Sequence, residues 1–272
     1  MCSEFARPPA VSDSLVNAWR TRTLERLLER FPPEHAGRLL DKVENHLRDL
    51  SVTLHGLHGT PHLGNMADPT DEFVYIVLSR KTAERAYAPA FRRLKEFGSW
   101  AAIMDLPEDR VVNLIHGSGL ESKKASAIIA GLRTITARFG KPDLSLAVRL
   151  EDPDLFDLLA GLPEIGPKSA LCVMLYAFRR PVFPVDAHVG RILARLGVFR
   201  PWDIDLRSLD HRQRQRVLID VVPPDLRYPL HVNLIQHGRL TCTATSPSCS
   251  ECALSTMCES FRDPDDGAGE PR

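Results

Sequence analysis

Four cysteines near the C-terminus constrain this chain more than any other feature of it. Cys242, Cys249, Cys252 and Cys258 follow the pattern C-x6-C-x2-C-x5-C, and only Cys2 and Cys172 accompany them in 272 residues. Thiols that crowd together in a reducing compartment serve as metal ligands more readily than as disulfides. Structural zinc and an iron–sulfur cluster are both open on spacing. Zinc sites usually pair two short knuckles across a longer gap, whereas here only the Cys249–Cys252 interval is short, so the pattern leans toward a wrapped cluster. Cys172 lies within an apolar run and reads as a small buried hydrophobe. Cys2 belongs to the N-terminal segment, and neither is given a role.

The compartment follows from what the chain lacks. Residues 1–10 contain no apolar signal-like stretch, and the longest wholly apolar run, residues 170–178, falls far short of the ~20 that a membrane helix needs. The expectation is a cytoplasmic protein, nucleoid-associated if bacterial, with no membrane partner. Formal net charge is zero, which conceals a gradient. Between residues 161 and 200, Lys168, Arg179, Arg180, Arg191, Arg195 and Arg200 face only Glu164 and Asp186, while the residues after Cys258 are mainly acidic. A local basic face suffices for phosphate contact, although such charge is also ordinary solvated surface.

Apolar residues recur at helical spacing along most of the chain, and no period-two strand stands out. Helices are expected from about Leu15, then over 33–50, 73–88, 99–104, 109–115, 123–139, 153–160, 167–178, 187–196 and about 210–221. Residues 56–71, rich in Gly, Pro, Asn and Asp, read as a loop, and Pro89 should break or kink the helix before it. His55, His58 and His62 fall in that loop without cysteines or a carboxylate beside them, and read as polar filler rather than a metal site.

The segment from Asp152 is the most informative. Asp152-Pro153 looks like an N-cap followed by proline at the first helical position, and Leu155, Leu158, Leu159 and Leu162 then share a face. The helix stops at Gly161, Leu162-Pro163-Glu164-Ile165-Gly166 forms a tight turn, and Pro167 opens a second helix. Backbone N–H groups at such a start, together with the helix dipole, can hold a phosphate without reading sequence. An α-hairpin of this kind is also common in helix bundles.

The run LeuProGluIleGlyProLysSerAla, the ProValAspAlaHisVal segment with Asp186 eighteen residues after Lys168, and the cysteine pattern occur here in one order. In that order they resemble the endonuclease III family of helix-hairpin-helix DNA glycosylases with an iron–sulfur cluster. The similarity spans about 190 residues, weakly from Asp71 and strongly from Leu162 to Cys258. It implies a [4Fe-4S] cluster on Cys242, Cys249, Cys252 and Cys258. It implies further that the Lys168 amine attacks C1′ of a damaged nucleotide, expels the base and leaves a Schiff base that permits β-elimination. Asp186 would act as general base and stabilise the cation-like sugar. It could equally cap the helix starting at Ala187, and the two roles are compatible. Gly166, Pro167, Ser169, Lys81, Leu120, His188 and Arg191 are the expected DNA contacts.

Two positions depart from the family. Glu164 replaces the usual first glycine of the hairpin, which places a carboxylate beside a phosphate and a Cβ where positive φ is wanted. Lys81 replaces the usual glutamine that fills the gap left by a flipped base, while Leu120 matches the second intercalating residue. The resulting expectation is an all-α protein of two helical lobes with a DNA cleft between them. Residues 65–180 would form a helical barrel with the helix-hairpin-helix, and 13–64 would pack with a cluster lobe of 181–262. Residues 1–12 and 263–272 are expected to be disordered. The expected function is excision of oxidised pyrimidines from double-stranded DNA, with lyase activity at abasic sites, by a monomer. Mismatched or methylated bases are the alternative substrates, and a non-catalytic iron–sulfur DNA-binding protein is the rival outside enzymology.

Overall fold

The computed structural model describes residues 8–262. Its thirteen α-helices are, in chain order, α1 (Asp13–Leu28), α2 (Pro33–His58), α3 (Pro69–Ser79), α4 (Glu84–Phe97), α5 (Trp100–Met104), α6 (Glu108–Leu114), α7 (Glu121–Phe139), α8 (Asp152–Ala160), α9 (Pro167–Tyr176), α10 (Ala187–Leu196), α11 (His211–Val221), α12 (Pro224–Leu240) and α13 (Glu259–Arg262). Short 3-10 turns link several of them, and no β-strand occurs among the described residues, so the fold is all-α. No described helix is long and apolar enough to cross a membrane.

The chain divides into two compact units. Residues 64–180 make one, carrying α3 to α9. At its centre α3 is buried along nearly its whole length, including Phe73, Val74, Val77 and Leu78. It packs on α4, α7 and α9, and α8 packs on α9 as the two arms of the hairpin. A Cβ added at Gly131 of α7 would overlap the Phe73 ring, so this glycine is what lets α7 approach α3. Glu72, in the first turn of α3, is fully buried. Its Oε1 accepts from Asn65 Nδ2 (2.6 Å) and its Oε2 from Met66 N (2.7 Å), folding the preceding loop over the helix start. Burial pushes its carboxyl up to about 8, against those two donors and the charge of Lys168, which pull it down.

The other unit joins residues 8–63 to the chain from Pro181 onward. Here α2 lies along α12, α1 packs on α2, and α10 packs on α12. The shared core includes Trp19, Leu47, Leu50, Phe183, Leu193, Trp202 and Leu230. Both ends of the described chain therefore build one core.

Several expected boundaries move. The helix expected over 73–88 ends at Ser79, because Lys81 adopts φ 50° and turns the chain. Pro89 sits inside α4 instead of ending a helix, and in its second turn removes one amide donor to the turn before. Helix α2 continues to His58, so His55 and His58 lie on its last turn rather than in a loop. The N-cap of α8 is Glu151, with Asp152 already helical, and α9 ends at Tyr176, after which Arg180 N bonds Met174 O. Helix α12 was not expected at all. Residues 8–12 precede α1, with the Ser12 hydroxyl capping it through Leu15 N. The disorder expected of residues 1–7 and 263–272 concerns residues outside those described.

Two measurements check this packing. Gly131→Ala should cost about 1–3 kcal/mol in denaturant unfolding through overpacking against Phe73, and an unchanged midpoint would contradict the close approach. The raised carboxyl of Glu72 makes the folded state bind more protons than the unfolded chain between about pH 4.5 and pH 8, so stability falls as pH rises through that window. Glu72→Gln should flatten this dependence in thermal melts between pH 5 and pH 8, and an unaltered slope would contradict the burial of an ionisable group there.

Candidate active site and cysteine loop

The hairpin turn joins α8 to α9 through Gly161, and Ile165 N bonds Leu162 O (3.1 Å) to close it. Gly166 is the N-cap of α9 and carries no side chain to accept from the first-turn amides. Gly166 and Pro167 are exposed, while Lys168 and Ser169 are half-buried in the first turn. Glu164 adopts φ 63°, in the left-handed region, so the conformation that glycine would favour is kept despite a Cβ. Its carboxylate is not left to repel an anion: Arg80 pairs with Oε2, and Lys123 Nζ lies 3.3 Å from Oε1. Arg80 also donates to the Glu164 carbonyl at 2.9 Å.

These cations stand beside the two expected gap-filling residues. Lys81 (φ 50°) and Leu120 (φ 57°) both lie in the left-handed region, both are exposed, and both line one small pocket of about 50 Å³ with Arg80, Lys123, Lys124 and Glu164. Three strained residues thus converge on one place, as they do at functional sites. Beneath them the buried Lys124 ammonium donates to Leu78 O (2.6 Å), Thr82 Oγ1 (2.8 Å) and Ser118 O (2.6 Å). That lysine pins the α3–α4 turn to the α6–α7 turn and so sets where Lys81 and Leu120 stand. Burial lowers its pKa. Its place was legible in principle, since Lys124 continues the apolar stripe of Ile128, Leu132 and Ile135 at helical spacing. Arg80 and Lys123 carry no such signal.

In the other unit, Asp186 is the N-cap of α10, accepting from Val189 N at 2.8 Å. The strand of chain before it is held at three successive residues. Gln215 of α11 donates to Phe183 O (2.9 Å) and accepts from Val185 N (2.7 Å), and His231 Nδ1 of α12 lies 2.9 Å from Pro184 O. Sequence reasoning missed both residues. Gln215 sits in a polar run that reads as solvated surface, and His231 lies in a helix that was not expected. His188 packs against Gly238, where any Cβ would collide with its ring. Arg191 spends its guanidinium on His188 Nδ1 (3.1 Å), Gly238 O (3.3 Å) and Cys242 O (2.7 Å), tying α10 to the end of α12 and the cysteine loop.

All four clustered cysteines line one cavity of about 620 Å³, together with Arg191, Arg195 and Arg207. Arg195 Nη1 lies 3.3 Å from Cys242 Sγ, and His237 Nε2 lies 3.6 Å from Cys252 Sγ. Burial raises the thiols of Cys252 and Cys258; neighbouring thiols add to this, while backbone amides of Leu254, Phe261 and Ser260 oppose it. Those amides are the donors a thiolate ligand requires. Four thiols facing one volume, backed by guanidinium groups and amides, suit an anionic metal–thiolate centre. Among the described residues, no group of three or more His, Cys, Asp or Glu is already arranged to hold a metal ion. His58, on the last turn of α2, lies against the His237 ring at 5.8 Å. Cys172 is buried, and Cys2 lies outside the described residues.

Residues 74–211 match the HhH-GPD superfamily, described as base excision DNA repair protein. Endonuclease III of Thermotoga maritima is 30% identical over 72% of this chain and 84% of its own length. Among solved structures, a trapped endonuclease III–DNA covalent intermediate matches with a TM-score of 0.66 at 24% identity, over 82% of this chain and 98% of that one. A thermostable thymine-DNA glycosylase matches at 0.63 and 17% identity, over 79% and 96%. The hairpin and the capped Asp186 thus fall within the matched region, and this chain belongs to the HhH-GPD superfamily of base excision DNA repair proteins as an endonuclease III-like DNA glycosylase.

Proposed function

We propose that this glycosylase is bifunctional: it excises oxidised pyrimidines from double-stranded DNA and then cleaves the strand as an abasic-site lyase, acting as a monomer. The observation that carries this reading is the primary amine of Lys168 in the first turn of α9, directly after the hairpin. An amine there can bond to C1′ of a nucleotide extruded from the duplex. The C1′–N glycosidic bond breaks, and the base departs with the electron pair and takes up a proton. Opening of the sugar gives the iminium, and loss of a C2′ proton expels the 3′ phosphate. Asp186 would stabilise the positive sugar and accept protons, and the three residues before it are held by Gln215 and His231. Gly166, Pro167 and Ser169 offer the helix start to a backbone phosphate. Lys81 and Leu120 would fill a vacated base position, and on α10 His188 and Arg191 serve the tie to Gly238 and the cysteine loop.

The endonuclease III resemblance and the donor set around the cavity support a [4Fe-4S] cluster held by Cys242, Cys249, Cys252 and Cys258. Bound there, it would anchor the loop at four points. That loop is the one to which Arg191 and Arg195 tie α10, the helix that Asp186 caps.

Two outcomes test the reading. Protein purified without oxygen should contain iron and acid-labile sulfide in equal amounts; stoichiometric zinc without iron would overturn the cluster. On a duplex carrying thymine glycol, the wild type should release the base and nick the strand. Lys168→Gln should lose both activities while still binding the duplex, and Asp186→Asn should slow base release by about 10²-fold or more. Strand nicking undiminished in Lys168→Gln would remove the lysine from the chemistry, and base release confined to mismatched thymine would move the substrate class.

A further inference from the structure

The ion pairs at Glu164 are arranged as a phosphate would arrange them. One carboxylate oxygen takes Arg80, the other takes Lys123, and the group sits at the hairpin turn among four cationic side chains that line the same small pocket. A phosphodiester also presents two non-bridging oxygens to separate cations. Two features show that the carboxylate is removable. Arg80 is held at the turn by its bond to the Glu164 carbonyl, which does not depend on the side chain. Arg80 and Lys123 are also 38% and 65% exposed, so an incoming anion can reach both. By contrast Lys124, buried and fully engaged with Leu78, Thr82 and Ser118, is not available to a ligand.

We propose that Arg80 and Lys123 form a binding site for a backbone phosphate of duplex DNA, and that Glu164 occupies this site as a stand-in anion until DNA displaces it. The proposal rests on the reading that the hairpin faces DNA. It explains why a residue with a Cβ is kept at φ 63° beside an anion-binding helix start. The side chain screens two exposed cations in the free protein, and a duplex recovers them by exchange. Binding is thereby weakened, because the displaced carboxylate remains close to the phosphate.

The test is the salt dependence of binding to an undamaged duplex, which involves no chemistry at Lys168. Glu164→Gln keeps the side chain and its strained φ but removes the charge. It should tighten binding about tenfold at moderate salt, because no ion pair has to be broken, with little change in the log–log salt slope, because the same phosphate is neutralised in both proteins. Glu164→Gly also relieves the strain, and should match Glu164→Gln in slope if charge is the cause. Arg80→Gln should weaken binding and make the slope shallower by about one in both the wild type and the Glu164→Gln background. A slope about one steeper in Glu164→Gln, with Arg80→Gln leaving the wild-type slope unchanged, would show that the ion pairs stay closed on DNA and would overturn the proposal, as would affinity unchanged in both variants. Nicking of damaged duplex by that same variant would then leave the glycosylase reading standing, whereas a wild type that binds no duplex at all would defeat that reading first.

Discussion

The unit that carries Asp186 depends on one apolar contact, the burial of α12 along α2. Leu39, Leu40, Val43, Leu47, Leu50 and Leu54 of α2 are all buried in the core that also holds Leu226, Leu230, Leu234 and Ile235 of α12. At about 1.5–3 kcal/mol for each side chain, the six from α2 alone contribute on the order of 10 kcal/mol, as much as the whole net stability of a typical domain. The polar geometry hangs on this packing. His231 reaches Pro184 from α12, Gly238 of α12 receives the His188 ring, and Arg191 bonds both Gly238 and the cysteine loop. Loosening α12 would therefore release the residues before Asp186 and the loop after Leu240 together.

The other unit is organised by ionisable groups placed inside as well as by apolar area. A buried ammonium, Lys124, holds two turns by their carbonyls, and a buried carboxyl, Glu72, holds the loop before α3. Each meets hydrogen-bonding partners, as a buried ionisable group must. The strained residues Lys81, Leu120 and Glu164 line one small pocket with Lys124. The rigidity that permits such strain comes from the buried ties below it, so the exposed side chains there are presented on a fixed frame.

Local chemistry in the sequence was enough to read α10, whose expected span 187–196 agrees with Ala187–Leu196, and the all-α fold class. It was enough also for the N-cap at Asp186 and the stop at Gly161. Helix α12 escaped because Pro223, Pro224 and Pro229 read as punctuation; the first two lie at the N-cap and first position, where a missing N–H costs little, and only Pro229 sits inside. The α3–α4 break escaped because left-handed φ at a lysine has no signature in the residue itself. The partners of Glu164 lie 84 and 41 positions away, and Gln215 lies 30 positions from the amide it holds, so only the folded chain brings them together. The four cysteines were legible as a group from their spacing, whereas the single cavity that they line was not.

The central claim is that the amine of Lys168 becomes covalently joined to the sugar. Incubating the enzyme with an abasic-site duplex in sodium borohydride, digesting the product and locating the adduct by mass spectrometry measures this directly. The account predicts one reduced adduct, on the peptide that contains Lys168. An adduct on another amine, or base release from damaged duplex with no adduct at all, would contradict it.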